Sequence, residues 1–247
     1  MISDIIARQG ALLFRWRSYA LLIFLPLAFM VVIHTEPVED AFGSVADLAY
    51  EIFCLAIAFI GLGVRIVTIG FTPKNTSGRN TATQVAETLN TTGMYSVVRN
   101  PLYLGNAIIY MAFALFSQTY WFVIVMFLFL VVYLERIIAA EEVFLREKFG
   151  AEYAAWVKRV PAFIPDWSLW TAPPLPFSFR NILKREYSGF FGIIAAFVLF
   201  DYAREAIAEG DTQIGLGWFA LLCVGAVVYV VLRSLKRHTV LLDVPGR

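Results

Sequence analysis

Two groups of polar residues stand at the ends of apolar runs, and their types suggest binding chemistry. The first comprises Gly93, Tyr95, Arg99, Asn100, Pro101, Tyr103, Gly105, Asn106 and Tyr110. The second comprises Glu135, Glu141 and Glu142, followed by Gly150, Tyr153, Trp156 and Val160. In the first group Asn100 suits a helix N-cap and Pro101 the first helical position. Arg99 then stands beside a helix N-terminus, where free N–H groups and the dipole favour an anion. Gly93 suits a tight turn or a close backbone approach. Tyr103, Asn106 and Tyr110 recur at helical spacing and share one face. Polar groups inside an apolar run point into protein or a water-filled cavity rather than lipid. The spacing predicts a cationic mouth over a partly polar groove lined by Asn106 and Tyr110.

In the second group Glu135, Ala139 and Glu142 share one helical face, and Glu141 is turned from it by about a third of a turn. Carboxylates so placed can hold a cation, accept hydroxyl hydrogen bonds or act as a base. Plain solvation competes with that role, since Glu142 and Arg146 form an i,i+4 pair of the kind surface helices carry. Gly150 is placed to end the helix. Tyr153 and Trp156 then either cap a site, in contact with its substrate, or rest on a membrane surface.

The elements that position these residues belong to a membrane. The 247-residue chain is 60% hydrophobic and only 16% charged, and its mean hydropathy is +0.70. Soluble domains are nearer half apolar and a quarter charged. The net charge of +1 says nothing about nucleic acid, but there is no basic run or aromatic stacking platform, and no nucleic-acid partner is expected. Cys54 and Cys223 lie inside apolar runs and suggest neither a disulfide nor a metal site. The N-terminus lacks the cleavage pattern of a secretory signal.

A helix needs about 20 apolar residues to cross the hydrocarbon core. Six stretches qualify, at 18–34, 45–70, 101–117, 119–138, 188–207 and 213–233. The third and fourth form a tight hairpin across Ser117 and Gln118. Lys and Arg are retained on the cytoplasmic side. Of the 20 Lys and Arg, all but two fall in segments on one side of such a six-span chain. Arg65 lies inside span two, and only Arg204 falls on the other side, among acidic loops. Both termini are therefore expected in the cytoplasm, as in a bacterial inner membrane protein. Glu51 and Asp201 are expected at the outer interface. The sequons at Asn75 and Asn90 fall on the cytoplasmic side, where glycosylation is not expected.

The chain divides into two N-terminal spans (1–70), a core of loop, hairpin, cytoplasmic helix and cap (71–165), a Pro-rich interfacial connector (166–187), and a C-terminal hairpin with a basic tail (188–247). That last hairpin reads as an accessory. No internal repeat is visible, and no alternating strand and helix pattern of a soluble Rossmann-type enzyme.

Two ordered blocks carry a resemblance. They are Gly93-x-Tyr95-x-x-x-Arg99-Asn100-Pro101-x-Tyr103-x-Gly105, and Glu141-Glu142-x-x-Leu145-x-x-x-Phe149-Gly150-x-x-Tyr153 ending in Arg159-Val160-Pro161. Together they resemble the isoprenylcysteine carboxyl methyltransferase and phospholipid methyltransferase superfamily. The resemblance covers about residues 90–165. It implies an all-α polytopic membrane enzyme with a cytoplasmic site that uses S-adenosylmethionine. It also implies a cofactor site at Gly93, Tyr95, Arg99, Asn100, Tyr103, Gly105, Glu141 and Glu142. The family usually has His where this chain has Asn100. Asn also donates a hydrogen bond but does not titrate near neutral pH, so a binding role carries over and proton transfer does not.

For the reaction, Arg99 is expected to take an anionic group and Tyr faces to favour a cation. Arg99, Glu135 and Glu142 are the expected catalytic groups, the two Glu as bases if the acceptor is an amine or thiol. Asn106, Tyr110, Tyr153 and Trp156 are expected at the acceptor, a membrane lipid or lipidated group such as an isoprenylcysteine carboxylate, a phospholipid or a lipid phosphate. No metal is expected, and the oligomeric state is not legible. Two other readings stand beside this one. An NADPH-dependent sterol-type reductase has a similar Arg-x-Pro-x-Tyr entrance, but usually an Arg-Asp-Glu set where this chain has Ala140-Glu141-Glu142. A small transporter or scaffold should show repeats or spans broken at mid-membrane.

Overall fold

The computed structural model describes residues 9–10, 12–14, 24–32, 37–73, 76, 87–210 and 213–247. Among them there are helices and turns and no strand. The helices are α1 (Leu25–Val32), α2 (Pro37–Phe42), α3 (Ser44–Phe71), α4 (Met94–Val97), α5 (Pro101–Phe116), α6 (Tyr120–Arg159), α7 (Phe179–Arg204) and α8 (Leu216–His238). The protein is an all-α membrane protein.

Among the described residues three helices, α3, α6 and α8, are long and apolar enough to cross a membrane. α5 is apolar but has only 16 residues. α7 has 26 residues and carries buried charges, so length alone would let it cross. The first expected span, 18–34, lies partly outside the described residues. The expected hairpin is present: α5 stops at Phe116, Gln118 takes a left-handed φ of 55°, and α6 starts at Tyr120.

α3 packs most extensively on α5, and two glycines set that approach. A Cβ on Gly61 would lie 2.6 Å from the Gly105 carbonyl oxygen. A Cβ on Gly105 would lie 2.6 Å from Arg65 Cγ. α7 is no accessory to this core. Its Ile193, Phe197 and Phe200 share one buried cluster with Cys54, Ala58, Phe116 and Phe122. The expected connector is also shorter than 166–187, because Ser178 caps α7 by accepting from Asn181 N at 3.3 Å.

Gly150 breaks the regular helix where an end was expected: its φ of 50° is non-helical, and a second helical segment follows it to Arg159. Glu51 lies near the start of its helix and Asp201 near the end of its own, and both are enclosed by protein. Both are buried against Arg204 at 3.0 Å, at the end of the bundle away from Arg99. Cys54 is buried and Cys223 is exposed, both as free thiols.

Candidate functional site

The first polar block is held open by a strap. Residues 160–171 run alongside 93–100, and four hydrogen bonds clasp them. Gly93 N donates to Thr171 O at 2.9 Å, Asp166 N to Val97 O at 2.9 Å and Arg99 N to Pro161 O at 2.9 Å. Thr171 N donates to Ser96 Oγ at 2.9 Å. Gly93 permits the turn that starts this run, since its φ of 59° lies in the left-handed region. Val98 is extended and ends α4. Asn100 stands at the N-cap with Pro101 following, yet its side chain makes no cap. It donates instead through Nδ2 to the Ala162 carbonyl at 3.0 Å, so it ties the strap to the helix start.

The two blocks meet above α5. Arg99 Nη1 lies 2.8 Å from Glu142 Oε1, with side chains 15% and 23% exposed. The Tyr103 hydroxyl donates to Glu141 Oε1 at 3.0 Å. Arg99 Nε is buried and has no hydrogen-bond partner among the described residues. A shallow, open cleft of about 860 Å³ borders Arg99, with Lys158, Arg159, Val160 and Trp167 among its walls.

The kink at Gly150 turns the last part of α6 back over this meeting point. Tyr153, Trp156 and Val160 are buried there with Leu89, Tyr95, Leu145 and Phe149 packed against them. Trp156 Nε1 donates to the Tyr95 carbonyl at 3.1 Å. These aromatics form the packed inside of a cap and do not lie on a surface. Tyr153 stands within electrostatic reach of both Glu142 and Arg99. Tyr95 is half-buried: burial pushes its hydroxyl pKa up, the Glu141 charge adds to that, and Arg185 and Arg65 oppose it. The hydroxyl therefore stays protonated at any ordinary pH.

Not every expected residue joins this group. Glu135 is 60% exposed and its contact is Arg136, at 3.7 Å. It falls about 160° round the helix from the fully buried Ile137, by the 100° turn per residue. Glu141 is the carboxylate on the inward side. The face shared by Glu135 and Glu142 is not the one that packs, and Arg99 reaches Glu142 from the flank. Gly105 is occupied with helix packing against Gly61 and Arg65. Asn106 Oδ1 accepts from Arg65 Nη1 at 2.7 Å, and Tyr110 packs on the apolar core.

The sequence reading missed the partner of that arginine. Arg65 Nε and Nη2 both donate to Glu186, each at 2.8 Å. A charge inside a span was a signal for Arg65. Nothing in the sequence marks Glu186 as its partner across 121 residues. Among the described residues, no group of His, Cys, Asp or Glu is arranged to hold a metal.

Residues 52–152 match the phospholipid methyltransferase family. That family lies in the group of isoprenylcysteine carboxyl methyltransferase-like membrane methyltransferases which the two motifs resemble. The match covers the first polar block, the hairpin and the second block as far as Gly150, and it leaves Tyr153, Trp156, Val160, α7 and α8 outside. No curated protein and no solved structure matches the chain significantly.

Proposed function

We propose that this chain, whose residues 52–152 match the phospholipid methyltransferase family, is a membrane methyltransferase that uses S-adenosylmethionine to methylate a lipid-borne acceptor. One observation carries the reading. The two blocks that bear the resemblance are joined at a single place, by Arg99 on Glu142 at 2.8 Å and Tyr103 on Glu141 at 3.0 Å.

The residues present fit the cofactor. Its carboxylate needs a donor, and Arg99 Nε is a buried donor with no partner among the described residues. Its ammonium and ribose hydroxyls need acceptors, and Glu141 and Glu142 supply carboxylate oxygens beside that donor. Its sulfonium is a cation, and the ring of Tyr103 offers a face that favours one. When bound, S-adenosylmethionine supplies an electrophilic methyl group and leaves as S-adenosylhomocysteine. The protein's task is placement, because holding two reactants in one geometry removes much of the barrier. The cap of Tyr153 and Trp156 keeps water from the inner side of the site. The distribution of Lys and Arg supports a cytoplasmic site, on the side where nucleotide-derived cofactors are found.

Calorimetric titration of the detergent-purified protein with S-adenosylhomocysteine, with NADPH as paired control, tests this reading. Saturable binding of S-adenosylhomocysteine alone is expected. Binding of NADPH alone would move the protein to the reductase class, and binding of neither would remove the enzyme reading.

A further inference from the structure

Arg65 does more than fill a polar gap between helices. Its stem crosses α5 where Gly105 leaves room, for a Cβ there would meet Arg65 Cγ at 2.6 Å. The guanidinium is then gripped on one edge by both oxygens of Glu186, at 2.8 Å each. Such a bidentate pair fixes the guanidinium plane as well as its position. Glu186 is 3% exposed and Arg65 16%, so the grip lies in a largely dry place. The remaining edge points Nη1 at Asn106 Oδ1, 2.7 Å away.

That contact decides what Asn106 can read. A guanidinium only donates, so the amide must turn its oxygen toward Arg65. Its NH₂ is then carried to the other side of the planar amide. Asn106 Nδ2 has no partner among the described residues. A free Asn would offer donors and an acceptor alike. This one is locked as a donor. It lies one turn along α5 from Tyr103, which holds Glu141 at 3.0 Å. The charges of Arg65, Arg185 and Glu141 all act on Tyr95, so the Arg65 grip and the candidate site share one end of the bundle.

We propose that Asn106 is a specificity-determining residue that donates to an oxyanion of the acceptor headgroup, a carboxylate or phosphate oxygen, and that Arg65 and Glu186 are positioning residues that set its orientation. The inference rests on the methyltransferase reading and adds the class of acceptor to it. It also gives α7 a part in the site, since Glu186 stands outside the segment that matches the family.

The test uses the full-length protein in nanodiscs made from native membrane lipid, with methyl-labelled S-adenosylmethionine and the lipid fraction counted. Asn106→Asp keeps an oxygen for Arg65 but replaces the donor by an anion. Its S-adenosylhomocysteine affinity should stay within about twofold, while the apparent KM for lipid rises about tenfold or more and kcat changes far less, the pattern of a lost ground-state contact. Glu186→Gln should raise KM in the same direction by about threefold to tenfold, and Glu186→Asp should restore most of it, since a carboxylate is what grips Arg65. An Asn106→Asp protein with an unchanged or lower KM would overturn the proposal, as would one whose cofactor affinity falls in step with turnover. A wild-type protein that neither binds S-adenosylhomocysteine nor labels lipid would sink the enzyme reading and this inference with it. An active wild type with an unaffected Asn106→Asp sinks this inference alone.

Discussion

Arg204 and Arg99 both face carboxylates, at opposite ends of the same bundle, and their surroundings differ. Arg204 is 4% exposed, and its partners Glu51 and Asp201 are 7% and 3% exposed. The guanidinium also stands over the Phe116 ring, 5.6 Å from its centroid. Three side chains from α3, α5 and α7 enclose it, so the pair is a dry fastening. Arg99 and Glu142 are 15% and 23% exposed beside an open cleft. Water screens that pair, and a ligand group can take the place of either partner at modest cost. One end is closed by its charges, and the other leaves them available. Breaking a dry pair strands a charge, which is far more costly than the pair's net contribution when intact.

The comparison predicts opposite phenotypes. Arg204→Leu should lower unfolding stability by about 3–5 kcal/mol, the cost of uncompensated buried charge. Chemical denaturation in detergent measures it, and the surviving folded protein should bind S-adenosylhomocysteine with unchanged affinity. Gly105→Ala comes next. Its new Cβ would lie 2.6 Å from Arg65 Cγ and 2.7 Å from the Gly61 oxygen. Overpacking of that kind costs about 1–3 kcal/mol, and part of it should appear as a raised KM for lipid if Arg65 is pushed off Asn106. Arg99→Gln should cost under about 1 kcal/mol of stability, as expected of a partly exposed ion pair. Its S-adenosylhomocysteine affinity should fall about tenfold, or roughly 1.4 kcal/mol. If Arg99→Gln proved less stable than Arg204→Leu, the roles of the two ends would have to be exchanged.

Much of this was legible in the chain because helical periodicity and apolar length are local signals. α3, the α5–α6 hairpin and the meeting of Arg99 with Glu142 all follow from spacing and motif. Glycines at 93 and 150 announced backbone exceptions, and the break at Gly150 is followed by a second helical segment that the spacing did not foretell. Long-range pairing was not legible. The choice of Glu186 for Arg65, and of Arg204 for Glu51 and Asp201, depends on how α7 lies against α3, which no local pattern encodes. The strap misled for a similar reason. Asn100 has the right type and position for a cap, but the Ala162 carbonyl, 62 residues away in sequence, takes its amide. The facing of α6 was the last difficulty. Two carboxylates seven residues apart share a face, but only packing decides whether that face is inward.

Glu135 gives the smallest predicted effect and the sharpest use of it. It is 60% exposed and loosely paired with Arg136, so Glu135→Gln should change stability by no more than about 0.5 kcal/mol, as exposed substitutions do. Turnover should stay within about twofold, because a side chain that does not approach Arg99 or Asn106 has no proton to move there. The result bears on the acceptor. An amine or thiol must lose a proton when it is methylated and needs a base within reach, whereas a carboxylate or phosphate oxygen is already ionised. Full activity in Glu135→Gln across pH 6–9 therefore agrees with the oxyanion acceptor assigned to Asn106. A large loss that steepens as pH falls would place a working base at Glu135 and return the acceptor to the amines and thiols.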